Sequence, residues 1–189
     1  MVPGLYIELK EPQWYLDAYG FDVVQMIFDQ LSEWNLETID KATENGIPII
    51  IQSFDPDALK RFSLLSDLPL VQLAWWGHTG VTYDWEDIST WAHGVGPDSK
   101  YVMFWPDTST SSYVDDSPSD FINYMHQLDL QVHPWTLRDD DLKYRDNSAA
   151  ENALYFNKGV DGIFTEFVST TWNVFETLAS QQNQTAPIV

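Results

Sequence analysis

Apolar residues fall into short runs separated by longer stretches in which they recur every third or fourth position. Runs rich in β-branched residues cover 5–9, 47–54, 68–74, 94–96, 128–137 and 160–167, each short enough to be a buried strand. Between them, Val23, Val24, Ile27, Phe28 and Leu31 repeat at helical spacing, as do Leu59, Phe62 and Leu65, then Phe121, Tyr124, Met125 and Leu128. Start and stop signals agree with these segments. Asp55-Pro56 and Ser117-Pro118 each put a capping residue before a first-turn proline, Asp84 precedes an acidic first turn, and Asn45-Gly46 and Lys158-Gly159 suit helix ends.

Strand followed by helix, about six times at roughly 30 residues per unit, predicts an α/β fold with a parallel sheet and right-handed crossovers. Two architectures compete. A doubly wound sheet is complete with six strands, whereas an eight-stranded barrel needs about 250 residues and so two further units. Length favours the doubly wound sheet. Against it, no glycine-rich nucleotide loop of the Gly-x-Gly-x-x-Gly or Walker type follows any strand.

Composition narrows the function classes. The 189 residues are 44% hydrophobic and 15% aromatic, enough for a substantial core in one domain or a piece of one. With 29 acidic against 9 basic residues, the formal charge of −20 repels phosphate backbones and anionic headgroups, so nucleic acid and membrane surfaces are unfavourable partners. Most of these carboxylates read as a solvated surface, with a cation site as the sharper alternative for a few. The absence of cysteine excludes disulfides, thiolate metal sites and a thiol nucleophile. No apolar stretch approaches the roughly 20 residues a transmembrane helix needs. Met1-Val2-Pro3-Gly4 runs directly into the first strand, an abrupt start for an α/β domain, and truncation is the expectation.

Polar residues gather at the C-terminal ends of the predicted strands, where a barrel carries its active site: Glu8 and Lys10, Gln52 and Ser53, His133 and Trp135, Thr165 and Glu166. Glu8 and Lys10, two apart on a strand, share a face and can address one small site. A carboxylate beside an ammonium suits a metal-bound phosphate and equally a structural ion pair. Gln52 suits either a phosphate contact or a satisfied core amide. His133 is more simply a core group than a catalyst, while Trp135 on its face suits an apolar pocket wall. His78, His93 and His126 form no metal pair at helical spacing and read as structural or surface residues. Asp139-Asp140-Asp141 lacks the glycine and terminal glutamate of an EF-hand and reads as a solvated approach to a helix. The segment 100–117 exceeds ordinary connection length and predicts an excursion over the active-site mouth or a lid.

Several segments, in this order and spacing, resemble glycerophosphodiester phosphodiesterases, particularly the branch of periplasmic bacterial and plant cell-surface enzymes. They are GLYIELKEP, IIIQSFDPDALKRF, LPLVQLAWW, VTYDW, HGVGPD, LQVHPWTLRDDDL and KGVDGIFTEF. The resemblance implies a partial TIM (β/α)8 barrel of about six units, the family's strands three to eight, over residues 1–171, followed by a helix end and tail over 172–189. It implies metal-dependent hydrolysis of a small-molecule glycerophosphodiester to glycerol 3-phosphate and an alcohol, using Mg²⁺ or Ca²⁺. Glu8 would then be a metal ligand, and Lys10, Gln52 and Trp135 would contact phosphate or substrate, with His133 and Glu166 as further pocket positions.

The family's acid and base are histidines in motifs that precede everything present here, so the expectation is a chain without them and without the first two strands. Glu166 stands where the family usually has aspartate, and Val168 where many members have proline, which leaves the eighth-strand contact open. A non-catalytic phosphate- or glycerol-binding module, or a wall-associated phosphodiesterase-like module, is the alternative. The family branch favours a place outside the cytoplasm, and the Asn183-Gln184-Thr185 sequon is compatible with it.

Overall fold

A computed structural model of the chain describes residues 3–77, 82–105 and 117–185. Its residues cluster into two compact units, Met1–Gly96 with Leu128–Leu130, and Pro97–Gln127 with Gln131–Val189.

The first unit repeats strand and helix: β1 (Leu5–Glu8), α1 (Pro12–Tyr19), α2 (Val23–Glu33), α3 (Ile39–Glu44), β2 (Ile49–Ser53), α4 (Pro56–Ser63), β3 (Leu70–Ala74), α5 (Trp85–Ser89) and β4 (Gly94–Pro97). The strands lie side by side in chain order, with β1 parallel to β2 and β2 parallel to β3. Register pairs Tyr6 with Ile50 and Glu8 with Gln52, so these four side chains share one face of the sheet. Ile49 and Ile51 project from the other face into a cluster with Val24 and Leu31 of α2 and Ala58, Leu59 and Phe62 of α4. Burying each of the larger side chains contributes about 1.5–3 kcal/mol. The sheet therefore has a helix-covered apolar face, while the face bearing Glu8 and Gln52 carries polar groups.

The predicted helix starts hold in this unit. Asp55 accepts from Asp57 N and Ala58 N at 2.9 and 3.1 Å with Pro56 in the first turn, and Asp84 accepts from Asp87 N at 3.0 Å. Gly46 follows α3 at φ 68°, a left-handed conformation that a residue without Cβ adopts cheaply. Helices α1 and α3 were not among the periodic segments singled out in the sequence. Helix α1 buries only Pro12 and so shows no apolar stripe, and α3 has only 6 residues.

The second unit contains α6 (Ser99–Phe104), α7 (Asp120–Gln127), β5 (Gln131–Val132), α8 (Ser148–Lys158) and α9 (Val168–Thr185). Two strand expectations contract here. The run 128–137 keeps only two strand residues, because Asp129 is left-handed at φ 60° and Pro134 has no N–H to donate to a ladder. The run 160–167 forms an isolated parallel bridge, Leu137 with Thr165, in place of a strand. Its pairing survives in part: Leu137 N donates to Phe164 O at 2.8 Å and Glu166 N to Leu137 O at 3.1 Å. Asp161 N and Gly162 N both turn to Val132 O, at 3.1 and 3.4 Å, which interrupts regular pairing.

Side chains take over where the ladder fails. Buried Glu151 accepts from the backbone N–H groups of Lys143, Tyr144 and Arg145 at 2.8–3.1 Å. Asp161 accepts from Val132 N at 2.8 Å and is paired with His126 Nε2 at 2.8 Å.

Further differences from expectation occur in this unit. Helix α7 begins at Asp120 rather than after Ser117, with Ser119 Oγ accepting from Ile122 N at 3.4 Å, because Pro118 falls two residues before the first turn. Asp139-Asp140-Asp141 is not a merely solvated run: Asp140 holds Arg138 through two 3.0 Å bonds, and Asp139 accepts from Thr170 Oγ1 at 2.5 Å. The segment 100–117 opens as helix α6, while 106–116, and with them the lid expectation, lie outside the described residues. His78 and the sequon side chains also lie outside what is described. Among the described residues no helix is long and apolar enough to cross a membrane.

Candidate active-site cleft

The first unit holds a cleft of about 450 Å³ at the C-terminal ends of β1, β2 and β3. Glu8, Lys10 and Glu11 contribute from the end of β1, Gln13 and Trp14 from α1, Ser53, Phe54 and Asp55 from the end of β2, and Trp75 and Tyr83 from the segment after β3. The strand ends are tied together by backbone and by one buried hydroxyl. Leu9 N donates to Gln52 O at 2.8 Å, Ser53 Oγ donates to Leu9 O at 2.7 Å, and Asp55 N donates to Ser53 Oγ at 3.1 Å. Ser53 thus fixes the β1–α1 turn against the β2–α4 turn, and its side chain positions the cleft floor rather than a ligand.

Glu8 and Lys10 come together as their spacing predicts, with Lys10 Nζ 3.5 Å from Glu8 Oε2. The lysine is 75% exposed and the glutamate 25%, so the ammonium can follow an anion into the cleft while the carboxylate stays on the sheet. Gln52 lies in register beside Glu8 and is buried, and among the described residues its Oε1 accepts no hydrogen bond. A buried acceptor without a donor costs about 1–3 kcal/mol. Among the described residues no group of three His, Asp or Glu is placed to hold a metal. The carboxylates of the cleft, Glu8, Glu11 and Asp55, are thus not gathered as the several oxygens that a hard cation such as Mg²⁺ or Ca²⁺ takes.

Sequence reasoning passed over the aromatic wall. Phe54 and Trp75 meet at 5.6 Å with ring planes 32° apart, and Tyr83 packs on Trp85 at 5.1 Å. Tyr83 Oη accepts from Trp75 N at 3.0 Å, and burial raises its pKa while that hydrogen bond works in the opposite direction. Phe54 and Trp75 each follow directly on the last residue of a strand, the available signal in the sequence.

The remaining expected residues belong to the second unit. His133 is buried and its ring packs on Gly162, where a Cβ would lie 2.8 Å from ring carbon Cδ2. Burial lowers its pKa, opposed by the nearby charge of Asp161, so the imidazole is neutral at pH 7. Trp135 is partly buried, with its backbone N donating to Pro97 O at 3.2 Å. Glu166 is ion-paired with Arg138, which also binds Asp140; this supplies the glutamate with a structural partner within its own unit. His126 lies on α7, as expected, and His93 Nδ1 accepts from Leu70 N at 3.2 Å in a structural role.

Comparison with known proteins gives these positions a context. Residues 5–170 match the model of the glycerophosphoryl diester phosphodiesterase family. A glycerophosphodiester phosphodiesterase of Haemophilus influenzae is 28% identical over 195 aligned residues, covering 88% of this chain and 51% of that protein. One from Arabidopsis thaliana is 27% identical, covering 93% of the chain and 52% of the relative. The chain thus spans about half the length of these curated relatives. Among solved structures, a glycerophosphoryl diester phosphodiesterase from Silicibacter pomeroyi superposes with a TM-score of 0.64 at 17% identity, over 93% of this chain and 51% of that one. A glycerophosphodiester phosphodiesterase from Parabacteroides distasonis gives 0.63 at 16%, over 93% and 58%. The shared fold accords with the partial (β/α)8 barrel and not with the doubly wound sheet that length favoured. The extent of the family match decides the assignment: the chain belongs to the glycerophosphoryl diester phosphodiesterase family.

Proposed function

We propose that the cleft of the first unit is the phosphate-facing part of an active site that hydrolyses glycerophosphodiesters to glycerol 3-phosphate and an alcohol. The observation that carries this reading is the Glu8–Lys10 pair at the end of β1, inside a cleft and inside the family-matched region. In the reaction a water oxygen bonds to phosphorus, the bond from phosphorus to the alcohol oxygen breaks, and that oxygen takes up a proton. Lys10 offsets negative charge on the phosphoryl oxygens as it builds. Gln52 is a substrate-binding position on the family resemblance, and its Oε1 has no donor among the described residues. For Trp135 and His133, in the second unit, the family resemblance alone suggests a substrate-binding and a pocket role.

The family is in general divalent-cation dependent. Glu8 is the residue of this chain offered to such an ion, Mg²⁺ or Ca²⁺, and with no group of three His, Asp or Glu placed for a metal among the described residues the affinity is weak. The described lining of the cleft carries no histidine. A positioned acid or base is worth about 10²–10⁴ in rate, so binding without appreciable turnover is the expected behaviour of the 189-residue chain. The same lining favours, as second reading, a module that binds phosphate or glycerol without catalysis.

Calorimetry with glycerol 3-phosphate, together with release of alcohol from glycerophosphodiesters with and without Mg²⁺ or Ca²⁺, tests both readings. Glycerol 3-phosphate should bind, and Lys10→Ala should weaken it about tenfold, as expected for loss of one charge-assisted contact. Binding unchanged in Lys10→Ala would remove the phosphate site from this cleft. Metal-dependent turnover lost in Glu8→Gln would show that the chain is an enzyme as it stands.

A further inference from the structure

We infer that the exposed surface of α1 and α2 is a docking site for an arginine-rich segment of a partner protein, an interaction that goes beyond the hydrolytic reading and does not depend on it. The surface begins at the end of α1. Gly20 closes that helix in a left-handed conformation, φ 71°, with Gly20 N donating to Leu16 O at 2.9 Å and Phe21 N to Tyr15 O at 3.3 Å. The turn folds Phe21 back onto Tyr19, with ring centroids 6.1 Å and planes 21° apart. Tyr19 also meets Trp14 at 5.2 Å and Tyr15 at 6.4 Å, so the four rings form one patch. Helix α1 buries only Pro12, and Tyr19 and Phe21 are 59% and 55% exposed. Aromatic rings gathered on the outside of a helix mark an interaction surface, where singly scattered ones would not.

Charge selects the partner. Between Lys10 and Lys41 the chain has seven carboxylates and no cationic side chain. Among the described residues only two of the seven are ion-paired, Asp22 with Arg61 and Glu37 with Lys41. The three within α1 and α2 are oriented by neutral amides instead: Gln13 donates to Asp17 at 2.8 Å, Gln25 to Asp29 at 2.7 Å and Gln30 to Glu33 at 3.0 Å. In each pair a glutamine stands three or four positions away, where a lysine would neutralise the carboxylate. These carboxylates are therefore held in place with their full charge. Asp17 follows Trp14 by three positions and so borders the rings, while Asp29 and Glu33 share a face of α2, which packs against α1. A surface serving solubility alone needs the carboxylates and not the rings, and one serving apolar docking alone needs the rings and not the charge. A guanidinium uses both, because its plane stacks on aromatic faces while its N–H fork binds carboxylate. Anionic partners are repelled by the same charge.

The test titrates two peptides of equal length and charge into the 189-residue chain, one with arginines and one with lysines spaced by serines, followed by calorimetry and by backbone magnetic resonance. The arginine peptide should bind about tenfold tighter than the lysine peptide, both should weaken as salt rises, and the perturbed signals should fall on α1 and α2. Tyr19→Ala combined with Phe21→Ala, at exposed positions outside the cleft lining, should remove the preference and leave the lysine peptide unchanged. Asp17→Asn combined with Asp29→Asn should weaken both peptides alike. Equal affinity of the unaltered chain for the two peptides would overturn the proposal without recourse to any variant. So would an arginine preference that survives loss of both rings, or ring-dependent binding of a neutral oligosaccharide, of zwitterionic vesicles or of a second copy of the chain with the arginine peptide inert. Glycerol 3-phosphate, titrated in parallel, should bind the Tyr19 and Phe21 variant as it binds the unaltered chain, so failure of the phosphate reading and failure of the docking site are told apart.

Discussion

The two units satisfy their backbones by different means. In the first, β1, β2 and β3 pair in regular parallel register, and one face of that sheet is sealed by Leu31, Leu59 and Phe62 from helices α2 and α4. In the second, β5 has two residues, further pairing consists of isolated bridges, Glu151, Asp161 and Asp139 accept hydrogen bonds that order the loops, and Asn152 accepts one that ties α9 to α8. A cavity in the sealed face is the costly change in the first unit, and loss of a buried acceptor the costly change in the second.

The largest effect expected from this contrast is in the first unit. Phe62→Ala, at a fully buried position between helix and sheet, should cost about 3–5 kcal/mol in denaturant unfolding. Hydrogen exchange should show the loss concentrated in residues 1–96, and uniform loss across both units would break the division. Glu151→Ala is the matching cut in the second unit. Removing a buried carboxylate that accepts from three consecutive backbone N–H groups leaves those donors unsatisfied, for a cost of about 3 kcal/mol. The faster exchange should begin at Lys143, Tyr144 and Arg145; protection unchanged there would show that Glu151 does not order the loop.

Asp55→Ala removes a helix cap that also stands at the cleft rim, and should cost about 1 kcal/mol. A loss above roughly 3 kcal/mol would exceed a cap of this kind and would point to a core role instead.

The smallest expected effect is a dependence on pH. His133 has its pKa lowered by burial, so the unfolded chain takes up this proton before the folded one as pH falls. Its contribution is fully present above the ordinary histidine value of 6.5 and declines below it, toward the lower folded value. His133→Gln should flatten that part of the stability profile, and an unchanged slope would show that other groups carry it.

Particular residues show how far the sequence reached. The Glu8–Lys10 pair was legible because a strand's period of two is a local property, and the caps at Asp55 and Asp84 because a cap is chemistry between neighbours. Helix α1 was illegible because it buries only Pro12 and so has no apolar stripe, and α3 because six residues are too few to display a period. The runs 128–137 and 160–167 carried strand composition and did not become full strands, since pairing depends on which N–H and C=O groups face one another across the chain. Glu166 shows the same limit: nothing in its neighbourhood along the chain distinguishes a pocket carboxylate from one engaged by Arg138, 28 residues earlier.

By itself, then, the sequence determined the α/β class, the location of polar chemistry at strand ends and, through its ordered motifs, the family, because each of these depends on residues close together in the chain. Tertiary structure alone decided that Trp14, Phe54, Trp75 and Tyr83 wall one cleft with Glu8 and Lys10, that Ser53 braces its floor, and that Glu151 anchors a loop. These relations join residues on separate elements or loops. Only the folding that closes those loops brings such groups within the few ångströms over which hydrogen bonds and ring contacts act.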